Sequence, residues 1–202
     1  MNLLDWKYLF INGKAENFRK SDLYLYLSGH RTTQMLITEC CHFRFLVFKT
    51  IAAMQWASTN LWNQTYYSLG DDDFKISLDK ILNAVNETLL FAEKKKWKLY
   101  PIMCGYLKHA NIKPIRSKAS KWFVDESEYK EATYPTYCSG GFYTTRVDTV
   151  IKLYERSKTV PYLRIEDVWV TGILRRLINM TEDMLIPPRK GMVIDKNGKI
   201  AS

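Results

Sequence analysis

Short apolar segments alternate with helical patterns along this chain, and this order constrains the fold more than any other feature of the sequence. Apolar residues from Leu78 to Leu89 recur at the spacing of one helical face, whereas the strand-like segments are short and rich in aromatic and branched residues. The predicted strands are 8–11, 65–69 and 99–106, and the predicted helices are 43–59, a helix from 78 with Ser77 as its N-cap, and 147–154. A turn is predicted at 12–13, a loop around Pro135 and the glycines at 140 and 141, and a further helix within 165–178. This alternation predicts an α/β fold in which helices pack on a sheet.

Charge and length limit the classes of partner and the number of domains. The 202 residues include 30 Lys and Arg against 21 Asp and Glu, which gives a formal net charge of +9. This surplus favours acidic partners such as nucleic acid, anionic lipid or a phosphorylated small molecule, and it does not choose among them. The longest largely apolar stretch, 43–57, is interrupted by Arg44, Lys49 and Gln55, so no membrane-spanning helix of about 20 apolar residues is predicted. The length predicts one domain with one sizeable core.

Two features bear on the compartment in which the chain folds. Glycosylation acceptor tripeptides begin at Asn63, Asn86 and Asn179. The cysteines are Cys40, Cys41, Cys104 and Cys138. A bridge between the adjacent Cys40 and Cys41 is not expected. The spacing of the four cysteines is not that of zinc ligands. Disulfides and buried thiols both remain open at this point.

Three consecutive carboxylates, Asp71, Asp72 and Asp73, follow the strand predicted at 65–69. Neighbouring carboxylates repel one another, and a divalent cation relieves that repulsion. In extended backbone Asp71 and Asp73 point to the same side, and their oxygens suit magnesium, manganese or calcium rather than zinc. Ligands of α/β sheets bind at the carboxyl ends of strands, where this triplet falls. The triplet alone is therefore compatible with two interpretations, an acidic turn that caps the next helix and a metal site with a diphosphate ligand.

A second acidic pair, Glu166 and Asp167, lies between Ile165 and Val168. Carboxylates at the start of a helix are stabilised by its dipole, so simple N-terminal capping accounts for the pair. The functional interpretation is a general base within reach of a hydroxyl nucleophile.

A third segment, 134–143, contains the adjacent glycines Gly140 and Gly141. Paired glycines let the backbone approach a ligand closely and offer it N–H groups. A plain glycine turn is the alternative interpretation.

Taken together and in this order, these segments resemble the β-1,3-glycosyltransferases of glycosyltransferase family 31, the galactosyltransferase and Fringe-like group. The resemblance extends over about residues 8–178 and is carried by four blocks. They are Phe45–Thr50 with Trp56, Gly70–Phe74, Lys121–Val124 with Tyr134–Tyr143, and Ile165–Val168. These blocks are similar to the family's Asn-Leu-Thr-x-Lys-Thr helix, its Asp triplet, its Tyr-Pro-x-Tyr-x-Ser-Gly block and its Glu-Asp-Val motif.

The resemblance implies a UDP-sugar donor, a manganese ion and inversion at the anomeric carbon. It implies that Asp73 is the direct metal ligand, and that Asp71 and Asp72 serve the ribose side of the nucleotide or the water molecules of the metal. Asp71 is thereby expected at both the metal and the nucleotide.

The same resemblance assigns roles to the other two segments. Asp167 would deprotonate the acceptor hydroxyl, with Glu166 beside it as part of the catalytic pair. Gly140 and Gly141 would line the pocket for the donor sugar. The reaction implied is transfer of a hexose, galactose or an N-acetylhexosamine, to a glycan hydroxyl of a glycoprotein or glycolipid.

The resemblance also sets expectations for architecture and location. We expect a GT-A type α/β fold, a Rossmann-like sheet between helices without its first strand–helix unit, over residues 1–186, followed by a mobile tail at 187–202. A Golgi location is implied, with membrane association through a segment that this chain does not include, and no nucleic-acid partner is expected. One alternative is a catalytically inactive relative that binds a glycan or a protein. Another is a basic nucleic-acid-binding protein, which would leave the Asp triplet unexplained.

Overall fold

The computed structural model describes residues 8–13, 33–38, 46–61, 63, 66–70, 75–191 and 193–194. The chain divides into two compact parts, Met1–Ala53 and Met54–Ser202. The Asp triplet and the pair Cys40–Cys41 lie outside the described residues. The expected domain at 1–186 with a tail at 187–202 stays a prediction.

In the first part, strand β1 (Tyr8–Gly13) pairs in parallel with strand β2 (Thr33–Thr38). The strand predicted at 8–11 is confirmed, but the turn predicted at 12–13 is wrong, because both residues continue the ladder opposite Ile37 and Thr38. Helix α1 (Leu46–Asn60) begins in this part and ends in the second, which agrees with the helix predicted at 43–59.

The second part is built on a four-stranded mixed sheet. Its strands are β3 (Tyr66–Gly70), β5 (Ile102–Lys108), β6 (Tyr137–Arg146) and β7 (Leu185–Ile186). Their order is β3-β6-β5-β7, with antiparallel pairing except between β5 and β7, which run parallel. A separate ladder joins β4 (Lys75–Ile76) to β8 (Val193–Ile194). The strand predicted at 65–69 is confirmed as β3. The strand predicted at 99–106 is confirmed as β5, which begins and ends later in the chain, at Ile102 and Lys108.

In the described residues, five helical segments accompany this sheet. They are α2 (Leu78–Lys94), α3 (Val147–Ser157), a π-helix (Val168–Leu174), α4 (Arg175–Leu177), which continues the π-helix, and a short 3-10 helix (Glu182–Met184). Ser77 occupies the N-cap position of α2 in extended conformation, although its side chain makes no capping hydrogen bond. The side chains of Val147, Val150 and Leu153 on α3 are buried, as is Trp169. The predicted α/β class is confirmed.

The loop predicted around Gly140 and Gly141 is wrong, because both glycines lie inside β6. They form a bulge: Cys104 pairs with Tyr143 and Tyr106 with Ser139, so Gly105 alone faces the stretch 140–142. Gly141 has φ +100, which favours glycine. A Cβ on Gly105 would lie 2.8 Å from the carbonyl oxygen of Phe142, so the strands meet here without room for a side chain. Glycines that allow a bulge look the same in sequence as glycines that end a strand.

A disulfide joins Cys104 on β5 to Cys138 on β6, beside this bulge. The two cysteines are separated by 34 positions in the sequence, and their Cα atoms lie 4.9 Å apart. Of the alternatives left open by the sequence, the disulfide therefore applies to this pair.

Within the part of the chain that the structure describes, no helix is both long and apolar enough to cross a lipid bilayer.

Candidate active site

Strand β3 leads directly into the Asp triplet and lies beside the glycine-bearing strand. Its last residue, Gly70, pairs with Phe142, which follows Gly141. Asp71, Asp72 and Asp73 lie outside the described residues, but the strand before them ends where the sequence predicts. The carboxyl end of β3 and the bulge of β6 are therefore neighbours in one sheet.

Side-chain hydrogen bonds strengthen the pairing of β3 with β6 near this end. The Ser68 hydroxyl donates to Thr144 Oγ1 at 2.8 Å, and the Thr144 hydroxyl donates to the carbonyl oxygen of Tyr67 at 3.0 Å. A slip of one residue in the pairing would move every side chain of the strand to the opposite face of the sheet. These hydrogen bonds oppose such a slip and so help to hold Gly140 and Gly141 beside the end of β3.

Glu166 and Asp167 form the first turn before the π-helix, and their environments differ. Asp167 is the N-cap, and its Oδ1 accepts a hydrogen bond from the backbone N–H of Val168 at 2.9 Å. The capping interpretation of this pair is thus correct for Asp167, and it does not exclude a catalytic role. Glu166 is only 7% exposed, whereas Asp167 is half-buried. Asp167 is therefore the more accessible carboxylate of the pair.

Two residues that the sequence analysis did not single out hold this turn against β6. The Thr171 hydroxyl donates to the carbonyl oxygen of Asp167 at 2.6 Å and accepts from the backbone N–H of Cys138 at 2.9 Å. A Cβ on Gly172 would lie 2.9 Å from Pro135 Cγ, so glycine permits the close packing. The signal that could have identified Gly172 is its isolation within the apolar run 168–174.

The charge of Asp167 acts on two tyrosines of the Tyr-Pro-Thr-Tyr segment. Burial raises the pKa of Tyr134 to about 12, with a further contribution from the charge of Asp167. Burial also raises the pKa of Tyr137, and Asp167 is the largest charged contributor there. Both phenols therefore stay protonated at neutral pH.

The residues before Glu166 are anchored to other loops. The backbone N–H and Nε of Arg164 donate to the two carboxylate oxygens of Glu128 at 2.7 and 2.8 Å. After the pair, the indole N–H of the fully buried Trp169 donates to the carbonyl oxygen of Pro161 at 2.9 Å. The turn that contains Glu166 and Asp167 is thus fixed on both sides.

The described residues contain no group of three or more His, Cys, Asp or Glu that could hold a metal ion. The expected ligands Asp71 and Asp73 belong to the segment that the structure does not describe. Their chemistry fits a hard divalent cation, because carboxylate oxygens are the donors that magnesium and manganese prefer.

Comparison with known proteins agrees with this arrangement. A family model described as galactosyltransferase matches residues 7–184. The chain belongs to this galactosyltransferase family. Over 143 residues, or 71% of the chain, it is 35% identical to beta-1,3-galactosyltransferase 5 of Homo sapiens, and these residues make up 43% of that relative. The family's assignment agrees with the mixed α/β architecture, which is GT-A-like.

Two mouse relatives give the same result. Beta-1,3-galactosyltransferase 5 of Mus musculus is 34% identical over 69% of this chain and 42% of its own length. Beta-1,3-galactosyltransferase 1 of Mus musculus is 31% identical over 65% of this chain and 38% of its own length. The chain therefore spans less than half the length of the curated relatives it matches.

Proposed function

We propose that this galactosyltransferase-family chain is an inverting β-1,3-glycosyltransferase. It moves a hexose, galactose or an N-acetylhexosamine, from a UDP-sugar to a hydroxyl of a glycan on a glycoprotein or glycolipid. The observation that carries the proposal is the pairing of Gly70 with Phe142. This pairing sets the strand end before the Asp triplet beside β6, the strand against which the turn of Asp167 is held.

The proposed displacement needs a base beside the attacking hydroxyl and a positive charge beside the leaving diphosphate. Asp167 and the Asp triplet are two separate acidic sites that suit these two roles. Asp167 accepts the proton of the acceptor hydroxyl as its oxygen attacks the anomeric carbon. The bond from that carbon to the diphosphate breaks, UDP leaves with the electron pair, and the configuration at the carbon inverts. A base on the acceptor side and a stabilised leaving group on the other side are what inversion needs.

The donor end of the proposed site is assigned to the triplet and the glycines. Asp73 and Asp71 would hold manganese, and Asp71 and Asp72 would contact the nucleotide. A divalent cation bound there would stabilise the negative charge of the leaving diphosphate. The backbone at Gly140 and Gly141, which carries no side chains, would face the donor sugar.

The disulfide supports a location in the Golgi lumen. Disulfides persist in the oxidising compartments of the secretory pathway and are rare in the cytosol. The bond between Cys104 and Cys138 is therefore consistent with a chain that acts where glycans are extended.

The test is a screen of UDP-sugars against a glycan acceptor array, with manganese and with a chelator. Release of UDP together with a β-1,3-linked product, lost on chelation, is expected. Manganese-dependent UDP binding without transfer would instead assign the chain to the inactive relatives that bind a glycan or protein. Steeply salt-dependent binding of DNA or RNA, without UDP binding, would contradict the proposal.

A further inference from the structure

Three Asn-x-Thr tripeptides have no part in the proposed reaction, and the structure distinguishes among them. They begin at Asn63, Asn86 and Asn179. Attachment of a glycan needs the amide of the Asn and the hydroxyl two residues later, and tripeptides of this kind that carry a glycan lie in surface loops of secreted proteins. The local structure of each tripeptide therefore bears on its use.

Two of the tripeptides lack a fully described surface loop. Asn63 is exposed, but Gln64 and Thr65 lie outside the described residues. Asn86 is exposed in the middle of α2, and the side chain of Thr88 is buried at 6% exposure. The interior of a helix is not the context in which such tripeptides are expected to carry a glycan.

The third tripeptide lies in the turn between α4 and the 3-10 helix that begins at Glu182. Asn179 and Thr181 are exposed, whereas Met180 between them is only 2% exposed. Asn179 has φ +61, the left-handed conformation in which an Asn can end a helix. The two residues that the attachment needs are therefore accessible, and the residue between them is held in the interior.

The inner side of this turn is fixed by Arg175. Its buried guanidinium donates to the carbonyl oxygen of Met180 and, at 2.9 Å, to that of Thr171. The backbone N–H of Met180 donates to the carbonyl oxygen of Arg175 at 3.2 Å, and that of Asn179 to the carbonyl oxygen of Arg176 at 3.1 Å. These bonds use only backbone atoms of Asn179 and Met180. A group attached to the Asn179 side chain therefore breaks none of them.

The Thr181 hydroxyl is the second group that the attachment needs. In the folded chain it donates to Asp183 Oδ1, two residues later, and both residues are exposed. An exposed hydrogen bond of this local kind exchanges with bonds to water and contributes little net stability. It is therefore a small obstacle to an enzyme that must recognise the hydroxyl.

The disulfide between Cys104 and Cys138 is an independent observation on the compartment. Disulfides form and persist in the oxidising compartments of the secretory pathway, where chains also meet the enzymes that attach glycans to Asn. A chain that carries this bond is thus exposed to the modification.

We propose that Asn179 is a site of N-linked glycosylation. Its amide nitrogen attacks the anomeric carbon of an oligosaccharide that a membrane lipid carries through a diphosphate. The nitrogen–carbon bond forms, and the bond from that carbon to the diphosphate oxygen breaks. The lipid diphosphate leaves with the electron pair, and the amide loses a proton to a base of the transferring enzyme. This modification is independent of the transferase reaction proposed above.

The test expresses the full chain behind a secretion signal in eukaryotic cells and purifies it from the whole-cell lysate by an affinity tag. Peptide-N-glycosidase in H₂¹⁸O converts each glycosylated Asn to an ¹⁸O-labelled Asp, which mass spectrometry identifies. The tryptic peptide Leu177–Arg189 contains Asn179 and neither of the other two acceptor residues. We expect this peptide to carry the label in the majority of the molecules.

Four variants separate the acceptor pattern from other effects of substitution. Asn179→Gln and Thr181→Ala should each lower the intact mass of the untreated protein by one glycan. Thr181→Ser changes the same residue but keeps the acceptor pattern, so it should keep the glycan. Asn111→Gln is the matched control, because Asn111 is also exposed with a positive φ but begins no acceptor tripeptide. It should leave the mass of the attached glycans unchanged.

An unlabelled Asn179 in the unmodified chain, whether or not Asn63 and Asn86 are labelled, would overturn the proposal. So would a Thr181→Ala variant that keeps the label at Asn179. Failure of the proposed transferase reaction has a different outcome, since the same preparation would then transfer no sugar while the label at Asn179 stayed in place.

Discussion

The Thr171 hydroxyl donates a 2.6 Å hydrogen bond to the carbonyl oxygen of Asp167, one π-helical turn earlier in the chain. The same oxygen atom of Thr171 accepts from the backbone of Cys138. One threonine thus connects the proposed base to the disulfide-bonded strand β6. π-Helical turns are rare and occur frequently at functional sites, which agrees with this position next to the base.

Replacing Asp167 by Asn should separate binding from turnover. The amide cannot take the proton of the acceptor hydroxyl, so we expect kcat to fall by about 10² to 10⁴-fold. UDP binding, measured by isothermal titration with manganese, should be retained. Glu126→Gln, which changes an exposed carboxylate, is the control and should keep its activity. Normal turnover in Asp167→Asn would disprove the base assignment.

Replacing Asp73 by Ala should abolish manganese-dependent UDP binding and transfer without unfolding the chain. A hard cation held by few carboxylates loses most of its affinity when one of them is removed. Titration of UDP in the presence of manganese, together with the melting temperature, measures both effects. Asp79→Asn, an exposed carboxylate in the first turn of α2, is the nearby control. Unchanged UDP binding in Asp73→Ala would remove this residue from the metal site.

Replacing Gly172 by Ala should destabilise the protein and slow the reaction together. The added methyl group would lie 2.9 Å from Pro135 Cγ, so the π-helix and the segment before β6 must separate. Forced overpacking of this kind costs about 1 to 3 kcal/mol, measurable by urea unfolding. Because the displaced helix carries Asp167, kcat should fall as well. A variant with unchanged stability would mean that this packing is looser than the structure indicates.

Removing the disulfide by Cys104→Ala with Cys138→Ala should lower the free energy of unfolding by about 3 to 4 kcal/mol. The bond closes a loop with a sequence separation of 34, and the entropy of the unfolded chain rises when that loop opens. Comparison of the oxidised chain, the reduced chain and the variant by chemical unfolding measures the effect. Equal stability of all three would show that the bridge contributes nothing in solution.

Alkaline pH should destabilise the fold through its buried tyrosines. The pKa values of Tyr67, Tyr134, Tyr137 and Tyr143 are raised above the usual value of 10.0, so the unfolded chain loses these protons first. Stability is therefore complete below about pH 10 and falls as pH rises above it, by up to about 1.4 kcal/mol per pH unit for each such tyrosine. Urea unfolding between neutral pH and pH 11 measures the slope. Tyr137→Phe should flatten it, and an unchanged slope would contradict this account.

How much of the structure the sequence predicts depends on whether the signal is local. The helix from Leu78 and the strand before the triplet are predicted well, because apolar periodicity and turn residues are local features. The glycines of β6 are misjudged, since their meaning depends on Gly105 in another strand. The bond between Cys104 and Cys138 likewise depends on how the two strands fold together and not on sequence spacing, since the ladder sets these residues opposite Tyr143 and Leu107.

In the candidate site, too, local features are predictable from the sequence and features that depend on the folded chain are not. The acidic pair is visible in the sequence, but adjacent residues carry no local signal of which one is buried. Tyr67 and Tyr143 look like ordinary strand residues until the sheet register sets them on one face.

The short strand β7 has a practical consequence for producing the protein. Leu185 and Ile186 pair with Ile102 and Met103, so β5 has a neighbour on each side. A version shortened to end at Met184, where the family match stops, would leave a row of backbone N–H and C=O groups on an apolar strand open to other molecules. Open strand edges of this kind recruit further chains and cause aggregation. Soluble expression of a trimmed version should therefore require that Ile186 be kept.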